Sequence, residues 1–98
     1  MQIDTKKEGT TLILTPDGRI DSATSEAFLK AAEKLIGEDY ETLRFDFSKV
    51  DYISSKGLRV LLVLYKQLSG KEVEITGANS SVREGVRVTG LEKEFNVK

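Results

Sequence analysis

An α/β fold built on a mixed sheet is what this chain of 98 residues predicts. Three patterns carry that prediction. Short apolar stretches with two-residue alternation recur at Ile3–Thr5, Leu12–Leu14, Leu43–Phe47 and Val73–Ile75. Segments with the three-to-four-residue apolar spacing of helices separate the later ones, and glycines or capping residues mark their ends. Strands that alternate with helices imply parallel pairing through right-handed crossovers, while an opening hairpin adds antiparallel pairing. The expectation is a sheet of four or five strands with the helices packed mainly on one face. Residues 1–98 make one domain, since so short a chain has no room for a second core.

Each element has its own reason. Ile3 and Thr5 alternate with polar neighbours and Leu12, Ile13 and Leu14 follow Gly9, so two strands joined by a turn open the chain. Pro16-Asp17-Gly18 reads as a further turn, because proline presets one dihedral and glycine accepts a positive one. Asp21 or Ser22 caps a first helix whose Phe28, Ala31, Ala32, Leu35 and Ile36 share a face, and Gly37 ends it. Leu43, Phe45 and Phe47 form a third strand, and a polar turn follows. The second helix runs from near Ser55 to about Ser69, with Gly70 as its stop. Val73 and Ile75 alternate in a fourth strand. Asn79 caps a third helix carrying Val82 and Val86, and Leu91, Phe95 and Val97 close the chain as a strand or a packed tail. At 100° per residue, Leu58, Leu61, Leu62, Tyr65 and Leu68 fall on one side of the second helix, which predicts the sheet side. Val60 and Val63 fall opposite, among Arg59, Lys66 and Gln67.

Composition removes several classes of function. A net charge of −1 with interspersed acids and bases leaves no electrostatic footprint for nucleic acid and no polybasic membrane patch. The longest apolar run, Val60 to Tyr65, is far below the ~20 residues that span a bilayer. Cysteine is absent, which excludes disulfides and thiolate metal sites. Histidine is absent too, so the commonest general base and metal ligand is missing and no Ser–His–Asp or Cys–His constellation can form. Asp46 and Asp51 read as a strand carboxylate and a solvated loop carboxylate rather than as a metal pair. No cofactor, metal or catalytic residue is expected, and the chain suits a cytoplasmic domain that is monomeric alone.

The chemistry that remains lies at Ser54-Ser55-Lys56-Gly57, where a strand gives way to the second helix. The first turn of a helix leaves N–H groups unpartnered and carries partial positive charge. A serine hydroxyl there can cap those donors, and a phosphate on the same oxygen is also stabilised. A serine at a helix start is most often a simple cap. Here it stands beside Val60 and Val63, rimmed by basic residues, a strip suited to docking a partner; scattered surface valines are the plainer reading of the same pair.

The run from Asp46 through Ser48, Val50 and Ile53 to Ser54-Ser55-Lys56-Gly57-Leu58 resembles the signature of STAS-domain proteins, the bacterial anti-sigma factor antagonists. Gly18-Arg19-Ile20-Asp21 is similar to that family's opening motif, and Thr89-Gly90-Leu91 with Phe95 to its closing one. The resemblance implies a STAS-type fold and a partner-switching role. The unphosphorylated protein would bind an anti-sigma factor, itself a serine kinase, and release the sigma factor; phosphorylation would break that complex and a protein phosphatase would restore it. The family's phosphorylated serine falls on Ser55, with Ser54 as the second choice, and Ser54, Lys56, Gly57, Arg59, Val60 and Val63 are the expected partner-binding residues. Two positions depart from the pattern: Ser54 stands where the family has Asp, and Lys56 where it has Ser or Thr. Those departures favour a second reading, a STAS scaffold domain that binds a protein or small ligand without phosphorylation.

Overall fold

The computed structural model describes residues 1–68 and 70–98. Its elements are β1 (Gln2–Glu8), β2 (Thr11–Ile20), α1 (Ser25–Ile36), β3 (Thr42–Asp46), β4 (Val50–Ile53), α2 (Ser55–Gln67), β5 (Glu72–Thr76) and α3 (Ser80–Val88). The expected end of α2 at Ser69 lies outside the described residues. Strand order is β1-β2-β3-β5, with β4 also paired to β2. β1 runs antiparallel to β2, and β2–β3, β2–β4 and β3–β5 are parallel. The sheet is therefore mixed, as expected, and has five strands, within the four or five anticipated.

Two local expectations are corrected. Pro16-Asp17-Gly18 does not turn the chain; it lies inside β2, with Pro16 opposite Ile3. The β2–β3 ladder ends at Leu14 and Phe45, so the proline's missing N–H falls beyond it. Gly18, at φ 104°, then donates its N–H to the Lys49 carbonyl (2.9 Å), and the register shifts between Gly18 and Arg19. That bulge lets one strand change partners, from β1 and β3 to β4. The second correction is β4 itself. The polar residues after β3 make a tight offset, with Asp46 accepting from the Ser48 N–H (3.0 Å) and Phe47 from the Val50 N–H (3.0 Å), and the chain then continues in the direction of β3 as a second strand beside β2.

Alternation sends Leu12, Leu14, Leu43, Phe45 and Ile75 to the helix-covered face, where Phe28, Ala32, Leu61, Leu64, Val82 and Val86 meet them. Phe45 touches both Phe28 and Phe95, with ring centroids 5.8 and 6.2 Å apart. Leu91 and Phe95 are buried and Val97 makes one bridge to Ile75, so the closing segment is a packed tail. The other face is polar. There Arg44 (2.9 Å) and Lys98 (2.6 Å) pair with Glu74, whose carboxyl they hold below its ordinary range.

The first helix is capped differently from the expectation. Thr24 is its N-cap residue, and the Asp21 carboxylate instead accepts from the Ala23 and Thr24 N–H groups just before the helix. Those donors lower the Asp21 pKa, the Ala23 N–H most.

The orientation of α2 is the correction that matters most for function. Gly57, Val60, Leu61, Leu64 and Leu68 face inward, whereas Leu62 and Tyr65 are exposed. Apolar residues surround most of this helix, so spacing alone could not select the buried side. Gly57 selects it. A Cβ there would lie 2.8 Å from both Ile20 Cγ2 and Ile53 Cγ1, so the helix closes on the sheet at the one position without a side chain.

Candidate functional site

β2 and β4 end side by side, Ile20 opposite Ile53, and the chain then enters α2. The Ser54 N–H donates to the Ile20 carbonyl (2.8 Å), which ties the helix entrance to the sheet. Ser54 has extended backbone, and its hydroxyl accepts from the Gly57 N–H (3.2 Å). It is the N-cap, half-buried and committed to the helix. Ser55 is the first helical residue and is exposed. The serine pair thus divides two jobs that one residue would have to share: Ser54 holds the cap and Ser55 presents a hydroxyl.

Around that hydroxyl lies a shallow depression lined by Ser22, Tyr52, Ser54, Ser55, Lys56 and Arg59. Tyr52 is exposed, and the Arg19 guanidinium stacks over its ring at 4.5 Å. Asp21 lies 3.5 Å from the Arg19 Nε and anchors the other side of that arm. Arg19, Ser22 and Tyr52 were not among the expected site residues. Their signal is a register one, since the β2–β4 pairing sets Arg19 opposite Tyr52.

Of the residues expected to meet a partner, Ser54, Ser55, Lys56 and Arg59 gather at this tip, and Val63 is exposed further along α2. Gly57 and Val60 do not join them. Val60 is only 7% exposed and packs in the core, and Gly57 is buried against Ile20 and Ile53. Both point inward because the helix rests on the glycine. The apolar surface on the outside comes instead from Leu62, Val63 and Tyr65. Among the described residues no three His, Cys, Asp or Glu side chains cluster to hold a metal ion, and no helix is long and apolar enough to cross a membrane.

The family model for the STAS domain matches residues 2–98, and the chain belongs to that family. The anti-sigma-F factor antagonist RsfB of Mycobacterium tuberculosis is 26% identical over 87 residues, covering 87% of this chain and 70% of RsfB. A crystal structure of an anti-sigma factor antagonist from Mycobacterium paratuberculosis superposes with a TM-score of 0.89 at 23% identity, over 98% of this chain and 83% of that one. The Bacillus cell fate determinant SpoIIAA, solved in its phosphorylated form, gives a TM-score of 0.72 at 15% identity, over 99% of this chain and 91% of that one. These two structures share the fold.

Proposed function

We propose that this chain is an anti-sigma factor antagonist switched at Ser55. Unphosphorylated, it binds an anti-sigma factor that is also a serine kinase and so frees the sigma factor. Phosphorylation of Ser55 by that kinase ends the complex, and a protein phosphatase restores binding. It acts as a single, non-enzymatic cytoplasmic domain. One observation carries the reading: Ser55 is exposed at the first turn of α2 while Ser54 holds the cap. A phosphate on Ser55 would add roughly −1.5 to −2 charges without removing the hydrogen bond that starts the helix. The kinship with RsfB supports the partner class. Ser54, Lys56, Arg59 and Val63 remain the proposed contacts, joined by Tyr52 and Leu62.

Co-purification of the chain with each anti-sigma factor of its own cell tests this. Ser55→Ala should keep binding, and Ser55→Asp should weaken it about a hundredfold, the effect of placing an unfavourable charge in a closed interface. Equal binding by the two variants would refute the switch.

A second reading is favoured by Lys56, a cation placed beside Ser55. It keeps the domain as a binding scaffold and removes the phosphate. Phosphosite mapping on protein from its native cell separates the two: an unmodified Ser54-Ser55 peptide supports the scaffold.

A further inference from the structure

Charge on the three helices is unevenly distributed. α1 carries Glu26 and Glu33, and α3 carries Glu84, but α2 holds Lys56, Arg59 and Lys66 with no acid at all, in a chain whose total is −1. The first turn of a helix stabilises carboxylates and disfavours cations, yet Lys56 stands in it. On the other helices acids stand beside the cations: Glu26 pairs with Lys30 and Glu84 with Arg87, while Glu33 accepts from the Gln67 side-chain amide at the end of α2 (3.0 Å). Among the described residues Lys56, Arg59 and Lys66 have no acidic partner within ion-pair distance. Lys56 adds to the positive end of the helix dipole, while Lys66, in the last turn, offsets the negative end.

Apolar surface flanks these cations: at 100° per residue Leu62 and Val63 lie on either side of Arg59 and Lys66, 37% and 39% exposed. Tyr65 lies further round, its ring edge-on to the buried Phe95 at 5.9 Å. α3 lies on that side, since a Cβ on Gly85 would lie 3.3 Å from the Leu58 Cδ1, and it adds Val88, 71% exposed. Lysine and arginine stems can lie along such a surface with their charged heads free. An occupant must supply carboxylates for the cations and apolar side chains for the stripe. A nucleic acid would supply only the anions. A helix with acidic and apolar residues at three-to-four-residue spacing supplies both.

We infer that the outer face of α2 docks an acidic amphipathic helix of a protein partner. Carboxylates meet Lys56, Arg59 and Lys66, and apolar side chains seat on Leu62 and Val63. The inference rests on the reading above only in taking α2 as the docking element. It also gives the Ser55 switch its sign, because a phosphate at the helix tip would cancel the attraction and repel the partner's carboxylates.

The test uses the full chain, isotopically labelled, titrated with a synthetic helical peptide of Glu-Glu-Leu-Leu repeats and followed by NMR. Shift changes should concentrate on Arg59, Leu62, Val63 and Lys66, and affinity should fall about tenfold when salt rises from about 20 to about 200 mM. Arg59→Glu with Lys66→Glu should weaken binding about tenfold or more with an unchanged thermal midpoint, as should Val63→Ser. Three results would overturn the inference: no shifts, shifts that map to the open sheet face, or a duplex oligonucleotide that binds α2 more tightly than the peptide. The peptide is not an anti-sigma factor, so failure to pair with anti-sigma factors and failure here are separate outcomes.

Discussion

The inner and outer sides of α2 both carry leucine and valine, but only the outer side carries charge, and the two do different work. Inward, Gly57, Val60, Leu61 and Leu64 are buried and fix the helix on the sheet. Outward, Leu62, Val63 and Tyr65 stay in solvent among Lys56, Arg59 and Lys66. The apolar residues alone do not separate the two sides, because both have them. What separates them is where the backbone approaches its neighbours, and that is decided by one missing Cβ at Gly57. The outer side is then free to be chosen for recognition.

The two sides should respond differently to substitution. The largest effect belongs inside: Leu64→Ala, at a fully buried position, should cost about 2–5 kcal/mol in urea unfolding. Gly57→Ala comes next, at about 1–3 kcal/mol, because its methyl group would meet Ile20 and Ile53 at 2.8 Å. A stable Gly57→Ala protein that lost only partner binding would return Gly57 to the interface and break the division. At the helix entrance, Ser54→Ala should cost about 1 kcal/mol through the lost cap, whereas Ser55→Ala should stay within about 0.5 kcal/mol. Equal losses for the two serines would mean that they share the cap. The last prediction lies away from the helix and is read from the pH dependence of stability. The Lys98 and Arg44 hydrogen bonds hold the Glu74 carboxyl below its usual 4.5, so its contribution to stability is complete above that value and fades as pH falls through the lower folded one. Glu74→Gln should therefore flatten the acid limb of the stability profile, measured by thermal unfolding from about pH 3 to 7. An unchanged acid limb would show that this pairing adds nothing.

Much of the fold could be read from alternation and capping residues. Leu43, Phe45 and Phe47 announce β3, and Asn79 caps α3 as its position suggests, accepting from the Val82 N–H at 2.8 Å. Turn chemistry misled at Pro16-Asp17-Gly18, since the same residues that close a turn also build a bulge inside a strand. The site was legible at its tip, where Ser54, Ser55, Lys56 and Arg59 are contiguous or one turn apart. It was not legible along the helix. Periodicity placed Val60 outside and Leu62 and Tyr65 inside, because apolar residues occur almost all round the helix and only Lys56, Arg59 and Lys66 marked the outer side. Arg19 and Tyr52 were hidden for a different reason: strand register, not sequence distance, brings them together.

The decisive experiment makes two readings on one preparation, the chain phosphorylated on Ser55 against the unmodified chain: thermal midpoint and affinity for its anti-sigma factor. With Ser54 holding the cap, the midpoint should move by no more than about 2 °C while the dissociation constant rises about a hundredfold. A midpoint that drops sharply while affinity stays the same would mean that Ser55 holds the helix together and switches nothing.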